Sequence, residues 1–247
     1  TALHVGSGQS SEVSDSLLRR DAAGAITLPG SGVAGALRAL ATRLAPRIDG
    51  EGVACQSLLG EPRAGERRQP CACLACRLFG TRYPSDEGQG GEASRLIVHD
   101  GKLANLPRPP TIRDGVGIDR KSGAAARAGR IKFDQEVLPA GARLELRLEM
   151  EADNEAERLL AAILAEWQAG RGILGGRSGR GLGALMLEMV KVRWLDLDQR
   201  DDLLAYLRAG QAWQAGAHED AHWLDRRLAE SQRQVRSRNQ VRPEAAQ

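Results

Sequence analysis

The chain has 247 residues, 42% of them hydrophobic and 27% charged, and its formal net charge is +3. This length suits one elaborated domain or two small ones, and no apolar run approaches the ~18 residues that a membrane-spanning helix needs, so we expect no membrane contact. Aromatic residues make up 3%, which argues against an RNA-binding module built on exposed ring platforms, and the mild charge argues against a uniformly basic polyanion binder.

The first residues predict a strand followed by a polar loop. The chain opens at Thr1 without an initiator Met, in an apolar stretch over residues 2–5, and a glycine turn over residues 6–8 leads into a polar run that ends at Asp15. We expect a segment upstream of Thr1 to be missing. No basic segment followed by an apolar one marks a secretory signal, which disfavours disulfide bonds.

Helical periodicity is clearest in two places. Behind Ser31, which we expect to be an N-cap, apolar residues recur at spacings of four, three and four from Val33 to Leu44. A second helix follows Asp153 or Asn154, presents an apolar face over residues 159–167 and ends at Gly170. Residues 201–207 also suit a helix, and the charged chain after Trp223 predicts a helix that frays into a disordered end.

Strands are predicted between these helices. Residues 26–28 and 95–100 are short apolar runs, residues 143–150 alternate with one apolar face, and residues 184–192 follow a glycine-rich loop. The resulting order, β-α-β followed by β-α-β, is that of an α+β, ferredoxin-like fold in which two helices cover one face of an antiparallel sheet.

Four cysteines lie within 22 residues, and none follows them. The C-x-C-x-x-C run and one outlying cysteine can place four thiolates around a tetrahedral, structural Zn²⁺. The surrounding segment is rich in glycine and charge, as is typical of a long insertion that a bound metal ion stabilises. Two disulfides, four unconnected thiols or an iron–sulfur cluster are the alternatives. The proposed ligands are Cys55, Cys71, Cys73 and Cys76.

Eight short motifs, taken together, resemble the repeat-associated mysterious protein (RAMP) superfamily, and most closely the backbone subunit of type III CRISPR effector complexes. Each motif alone is weak, whereas their ordered succession over residues 2–194 is specific. The motifs are HVGSG at 4–8, SDSLLRRD at 14–21, LPGS and GALR within 28–38, LFG at 78–80, RLIVHD at 95–100, GIDRKSGAA at 117–125, EVLPAG at 136–141 and GGRSGRGLG at 175–183.

The resemblance implies a domain organisation and a set of partners. Residues 1–194 would form the RAMP domain, with a zinc-binding insertion at 50–80 and a thumb-like hairpin at 106–135, and residues 195–247 a C-terminal helical extension and charged tail. The expected partners are a guide (CRISPR) RNA, its target RNA, and other effector subunits or fused RAMP domains. The expected location is the prokaryotic cytoplasm.

Asp15 is the candidate catalytic residue. It follows the first strand and a glycine turn, and in the family that the chain resembles, the matching Asp is needed for metal-dependent cutting of target RNA by the ribose 2′-hydroxyl. A carboxylate can hold hydrated Mg²⁺ against the phosphate without a histidine base. A turn-capping role is the alternative. Asp21, which we expect to shape the next turn, is the control.

Candidate RNA contacts lie in four places. His4 is either a core residue or a contact near the active loop. The helix start at Gly30 and Ser31 offers backbone N–H groups to a phosphate, with Arg38 further along. Basic residues are in excess between 108 and 132, where the stretch around Arg120 and Lys121 resembles the wedge of a thumb. In the glycine-rich loop, guanidinium groups can bind phosphates; they are Arg177 and Arg180.

Three functions remain open from sequence. The chain can be a Mg²⁺-dependent endoribonuclease module that binds guide RNA and cleaves paired target RNA. It can instead be a guide-binding structural subunit of the same complex that does not cleave. A guide-processing endoribonuclease that needs no added metal is the third, and the presence of only four histidines argues against it.

Overall fold

The computed structural model describes residues 1–49, 55, 71, 73–81, 91–125, 132–209, 214–215 and 218–240. The helices among them are α1 (Gly30–Asp49), α2 (Leu74–Phe79), α3 (Asn154–Gln168), α4 (Arg200–Arg208) and α5 (Trp223–Gln240). The strands are β1 (Thr27–Leu28), β2 (Leu96–Val98), β3 (Gly101–Asn105), β4 (Thr111–Val116), β5 (Lys132–Val137), β6 (Arg143–Glu145), β7 (Leu148–Met150), β8 (Gly172–Ile173), β9 (Ala184–Leu185), β10 (Arg193–Trp194) and β11 (His218–Glu219).

The chain forms two compact units. The first comprises Thr1–Ala36, Val98–Leu148 and Gly170–Met186. Its largest sheet has the order β1-β3-β6, and β4 pairs with β5 and β8 with β9, all antiparallel. Buried leucines from the N-terminal segment, from β1 and from the position directly after β5 form its core. Burying each such side chain stabilises the fold by about 1.5–3 kcal/mol. They include Leu3, Leu18, Leu28 and Leu138.

The β4–β5 hairpin has two chemically different faces. Residues that pair across antiparallel strands project to the same side of the sheet, and neighbours along a strand alternate. Gly115 pairs with Phe133 and Arg113 with Gln135 on one face, whereas Asp114 pairs with Asp134 on the other. The first face therefore carries an aromatic ring, an amide and a guanidinium group, and the second carries carboxylates.

The second unit comprises Leu37–Ile97, Glu149–Ala169 and Leu187–Gln247. Helix α3 packs against α2 and α5 through an apolar face that includes fully buried Leu159 and Ile163. Trp223 of α5 donates its indole N–H to a Glu157 carboxylate oxygen (3.0 Å), and Arg227 bonds to the same oxygen at 2.6 Å. The buried carboxylate is thus paired and hydrogen-bonded, as burial of a charge requires.

The structure confirms the mixed α+β class with small antiparallel sheets, and the ferredoxin-like arrangement stays a prediction. The second predicted helix has its N-cap at Asp153, and α4 and α5 occupy the predicted segments. The disordered end predicted beyond α5 lies outside the described residues. No helix in the described part of the chain is long and apolar enough to cross a membrane.

Three local predictions were wrong. Helix α1 begins at Gly30, so Ser31 lies inside the first turn and is not the N-cap. The predicted strand over residues 143–150 is divided into β6 and β7, which pair with different strands, β3 and β2. Of the predicted strand over residues 184–192, only β9 forms. The first apolar stretch is held by single bridges, such as Leu3 to Leu138.

Candidate functional site

Asp15 is exposed and is held by a second carboxylate, that of Asp134 in β5. The Asp15 backbone N–H donates to Asp134 Oδ1 at 2.8 Å, and the Asp134 backbone N–H donates to Asp15 Oδ2 at 3.2 Å. This reciprocal pair fixes the Asp15 loop on the carboxylate face of the β4–β5 hairpin. Ser11 and buried Ser14 fix the loop from within, since the Ser14 N–H donates to Ser11 Oγ at 3.1 Å.

The paired aspartates leave two oxygens open. Asp15 Oδ1 and Asp134 Oδ2 have no hydrogen-bond partner among the residues that the structure describes. Asp114 lies opposite Asp134 in the hairpin and bonds to Lys132 at 3.6 Å. Carboxylate oxygens are the ligands that Mg²⁺ prefers, and Mg²⁺ keeps several waters when one or two carboxylates bind it. The donor set therefore fits a hydrated magnesium ion.

His4 is buried, and its ring joins the Asp15 loop to β5. Ring Nδ1 lies 2.7 Å from the Glu136 carbonyl oxygen, and Nε2 lies 3.1 Å from Ser16 Oγ. A carbonyl oxygen only accepts, so Nδ1 carries the proton and donates. The His4 backbone carbonyl also accepts the Gly176 N–H at 2.9 Å. His4 is thus a buried residue that aligns the loop beside Asp15, and its contact to RNA stays a prediction.

Glu136 is a second buried link to this loop. Its backbone N–H donates to the Ser16 carbonyl (2.9 Å), and its carboxylate accepts the Leu18 N–H at 2.9 Å and binds Arg20 at 2.6 Å. Asp134 and Glu136, two residues apart on one face of β5, thus hold Asp15 and the residues that follow it. The loop is fixed by charged groups on a strand 118 residues away in sequence.

The start of α1 is tied to the strand segment beside it. The Gly30 N–H donates to Asp100 Oδ1 at 2.7 Å, and a Cβ on Gly30 would lie 2.1 Å from the Val98 carbonyl oxygen. Glycine is therefore required there for close packing. Because Asp100 takes the Gly30 N–H, a phosphate at this helix start would be left with exposed Ser31. RNA contact by Gly30 and Ser31 stays a prediction.

Arg38 makes contacts within the second unit. Its guanidinium group donates to the carbonyl oxygens of Phe79 (3.4 Å) and Gly80 (3.1 Å). These bonds anchor the end of α2 and give Arg38 a structural role. Its contact to the guide backbone stays a prediction.

The glycine-rich loop after α3 is closely packed. A Cβ on Gly175 would lie 2.3 Å from the His4 carbonyl oxygen, and one on Gly183 would lie 2.0 Å from that of Leu174; both residues have positive φ. Arg177 adopts the left-handed conformation at φ 59°, unlike every other non-glycine residue that the structure describes. Such a conformation costs of order 1 kcal/mol and persists only where its surroundings enforce it.

The side chains of Arg177 and Arg180 converge on Phe133 of β5. Their guanidinium carbons lie 4.2 and 5.9 Å from the centre of the ring. The sequence predicted both arginines as RNA-binding residues, and that role stays a prediction. The structure brings them to the face of the hairpin opposite Asp134.

The tip of the hairpin presents Arg120 and Lys121 to solvent. Asp119 shapes this turn, because its Oδ1 accepts the N–H groups of Lys121 (2.8 Å) and Ser122 (2.9 Å). Hydrogen bonds from Ser122 and Lys121 lower the pKa of the Asp119 carboxyl. The turn thus presents two exposed cations, and the thumb-like role of residues 106–135 stays a prediction.

The four cysteines of the second unit meet at one point. Their sulfur atoms all lie within 4.8 Å of one another, and those of Cys55 and Cys76 are 3.5 Å apart. Sulfurs bound to tetrahedral Zn²⁺ at ~2.3 Å would be separated by ~3.8 Å. None of the four is joined to another by a disulfide bond in the structure. Between Cys55 and Cys71 the insertion lies outside the described residues, and the cluster could hold a metal ion.

The environment of the thiols opposes charge in the absence of a cation. Burial raises the pKa of Cys55, and the hydrogen bond with Cys76 is the main cause that raises the pKa of Cys73. Cys73 precedes α2 and Cys76 lies within it, so the short helix aligns two of the four sulfurs. A bound divalent cation would compensate the negative charge that this packing otherwise disfavours.

Comparison with known proteins agrees with this architecture. The sequence matches the family model of the RAMP superfamily over residues 1–186. The chain belongs to the RAMP superfamily. No curated protein matches the chain in a sequence search. Membership indicates a CRISPR-associated, RNA-binding subunit, and the matched range contains the Asp15 loop, the hairpin and the RAMP glycine-rich loop.

Sequence reasoning missed three residues of this RAMP site. Asp134, Gln135 and Phe133 were not singled out, although all three stand in β5, directly before the motif that begins at Glu136. The available signal was the alternation of that strand, which places Asp134 and Glu136 on one face. Their partners lie far away in sequence, so their role could not be found from spacing.

Proposed function

We propose that this RAMP protein is a guide-RNA-binding backbone subunit of a type III CRISPR effector and that it cleaves complementary target RNA with Mg²⁺. The observation that carries the proposal is the pair of carboxylates at exposed Asp15 and half-buried Asp134, each with one oxygen that has no hydrogen-bond partner among the described residues. The pair lies on one face of an arm whose tip carries Arg120 and Lys121. An arm that wedges into a guide–target duplex would set one phosphate beside these carboxylates.

The reaction needs no covalent bond to the protein. The 2′-oxygen of the scissile nucleotide bonds to its own 3′-phosphorus while the bond to the 5′-oxygen breaks, leaving a 2′,3′-cyclic phosphate and a 5′-hydroxyl. The 2′-hydroxyl proton leaves to solvent, and solvent protonates the 5′-oxygen. Asp15 and Asp134 would hold Mg²⁺, and the ion would stabilise the negative charge that develops on the phosphate. His4 is not a base here, because both ring nitrogens are engaged.

The residues around Asp15 act by positioning. Glu136 holds the loop backbone at Ser16 and Leu18, and His4 bonds to the Ser16 side chain. The Asp134 N–H donates to the Asp15 carboxylate, which would therefore be fixed before RNA binds. A fixed carboxylate needs little rearrangement during the reaction, which is the main way in which preorganised charge lowers a barrier. The guide strand would be held by backbone contacts, and base pairing would select the target.

The deciding experiment compares two matched variants in the assembled, guide-loaded complex. Asp15→Asn keeps an oxygen that can accept the Asp134 N–H, and Asp21→Asn keeps the oxygen that accepts the N–H groups of Ala23 and Ala25 at 2.9 Å. Labelled target RNA is followed on a denaturing gel with and without Mg²⁺, and guide and target binding are measured in parallel.

We expect one Mg²⁺-dependent product to disappear in Asp15→Asn, with binding retained, and to persist in Asp21→Asn. Products unchanged in Asp15→Asn, or absent from the wild type, would identify a structural subunit that does not cleave. Cutting of repeat RNA without target and in the presence of EDTA would identify a guide-processing enzyme instead.

We also propose that the cysteine cluster holds a structural Zn²⁺. Four thiolates are soft ligands that favour zinc and leave no open coordination position, so the ion would fold the insertion and do no chemistry. The convergence of four sulfurs within 4.8 Å supports this.

A further inference from the structure

The face of the hairpin opposite Asp134 forms a cavity of about 140 Å³. Its wall consists of β4, β5 and the glycine-rich loop, all within the first unit. That volume is about ten times the ~10–15 Å³ that a single ordered water requires. The cavity is therefore large enough for a small organic group. It has no part in the cleavage chemistry proposed above, because the hairpin separates it from Asp15.

The floor of the cavity is aromatic and flat. The Phe133 ring lies against Gly115, where an added Cβ would be 2.2 Å from the ring. The Arg177 guanidinium group lies over the same ring at 4.2 Å. Glycine at 115 and the left-handed backbone at 177 both serve this stack, since the first gives the ring its space and the second aims the guanidinium group at it. Planar guanidinium and ring faces are the surfaces on which proteins stack bases.

One wall carries an unsatisfied hydrogen-bonding group. Gln135 is 3% exposed, and its side-chain oxygen has no hydrogen-bond partner among the described residues. Leaving such a buried group unpaired destabilises a protein, and buried amides in the great majority of cases have partners. A ligand that offers an N–H group would satisfy it, as the edges of nucleobases do.

The rim of the cavity is cationic. Arg113 from β4 and Arg180 from the loop stand beside Arg177, and no carboxylate pairs with the three of them among the described residues. Asp114 also lines the cavity, but its side chain bonds to Lys132 on the opposite face. Three guanidinium groups around a flat floor suit a phosphate attached to a planar group.

From these observations we propose that the cavity binds one unpaired nucleotide of the bound RNA. Its base would stack on the Arg177 guanidinium plane that lies over Phe133, its edge would bond to Gln135, and its phosphate would lie at Arg113 and Arg180. The inference rests on the proposed function for its RNA, and it adds a base-binding contact to a protein otherwise expected to bind RNA by its backbone. A base turned away from its partner strand is the nucleotide that such a cavity would receive.

The test uses adenosine 5′-monophosphate and ribose 5-phosphate as probes, titrated into the isotope-labelled chain and followed by NMR. We expect the mononucleotide to bind about tenfold more tightly than ribose 5-phosphate, because base stacking adds to phosphate binding. Arg177→Ala and Gln135→Leu should each weaken mononucleotide binding about tenfold. Lys132→Ala, which removes one charge from the opposite face, should leave it unchanged.

Gln135→Leu carries a second readout that misfolding would not mimic. Replacing an unpaired buried amide by an apolar side chain of similar size should raise the unfolding midpoint of the free protein while it weakens ligand binding. Equal affinity for ribose 5-phosphate and the mononucleotide would leave only an anion site and overturn the inference. So would mononucleotide binding that is unchanged in both cavity variants.

Guide-RNA binding by the same proteins separates this inference from the proposed function. Guide RNA bound by the wild type without any mononucleotide binding would overturn the cavity assignment and leave the proposed function standing. If the wild type binds the mononucleotide, the cavity variants do not, and none of the proteins binds guide RNA, the result would support the cavity as a nucleotide site and contradict the proposed function.

Discussion

Asp15 and Asp134 form two reciprocal hydrogen bonds: the backbone N–H of each residue donates to the carboxylate of the other, which lies 119 positions away in sequence. The arrangement brings two carboxylates together, and like charges at close range repel. The cost is offset by the two hydrogen bonds that order the loop. A cation at the open oxygens would relieve the repulsion, so the contact that shapes the loop also favours metal binding.

Asp134 is expected to matter for cleavage as Asp15 does. Asp134→Asn keeps an oxygen for the Asp15 N–H and removes the charge, whereas Asp134→Ala removes both. We expect Asp134→Asn to lower the cleavage rate about tenfold, with much of the loss recovered at raised Mg²⁺, because the weakened site still has Asp15. Cleavage rates against Mg²⁺ concentration measure this. A rate that equals that of the wild type at low Mg²⁺ would remove Asp134 from the site.

His4 is expected to stabilise the first unit. His4→Ala leaves the Glu136 carbonyl oxygen without its 2.7 Å donor and frees Ser16 Oγ, which should lower the free energy of unfolding by about 2–3 kcal/mol. Urea denaturation measures the loss. His222→Ala is the control, because His222 is exposed and its replacement should change stability by less than about 0.5 kcal/mol. Equal stability of the two variants would show that the His4 bonds contribute nothing.

The cysteine cluster is expected to bind about one Zn²⁺ per chain. Cys76→Ser replaces a fully buried sulfur ligand of the cluster, so freshly purified variant should lose most of its zinc and become sensitive to protease near the insertion. Elemental analysis and limited proteolysis measure these changes. Ser94→Ala, outside the cluster, should keep full zinc content. Metal-free wild-type protein with unchanged protease resistance would contradict the site.

The stability that the N-cap residue Asp153 gives to α3 is expected to depend on pH. Burial acts to raise the pKa of Asp153, but hydrogen bonds from the Ala156 and Glu155 N–H groups and the charge of Arg77 outweigh it, so its pKa is lowered. A lowered pKa stabilises the fold above the ordinary value of about 3.9, and this contribution is lost as the pH falls through the folded-state pKa.

Two variants separate the cap from the charge at Asp153. Asp153→Asn keeps an acceptor for the helix N–H groups and should cost about 1 kcal/mol through the partly exposed Arg77 pair, whereas Asp153→Ala should cost about 2 kcal/mol. The difference between the wild type and Asp153→Asn should shrink below pH 4. Denaturation at pH 7 and at pH 3 measures it. A difference that is constant with pH would show that the charge has no part.

The local features of the fold could be predicted from the sequence. Helix α3 and its N-cap were predicted because both signals lie within 16 residues. These signals are the helical spacing of apolar residues and an Asp directly before the helix. The cap of α1 was not predicted, because the group that accepts the Gly30 N–H is the carboxylate of Asp100, which lies 70 residues away in sequence. The division of residues 143–150 into β6 and β7 depends on two different partner strands. Local alternation cannot show which strand a residue pairs with.

The candidate site shows the same limit. Asp15 was found from its motif and the cysteines from their spacing, because both signals lie in short stretches. Asp134, Glu136 and Gln135 became visible only when β5 was paired with β4 and packed against the N-terminal loop. Their roles are set by which face of the strand they occupy.

The two faces of the β4–β5 hairpin constrain how related proteins can change in length. Neighbours along a strand point to opposite sides, so one residue inserted between Asp134 and Gln135 would place the carboxylate and the amide on the same face of the hairpin. Insertions beyond the paired residues, at the tip, leave this order intact. Natural variants should therefore differ freely in the length of the tip, while the paired segment keeps a constant residue count.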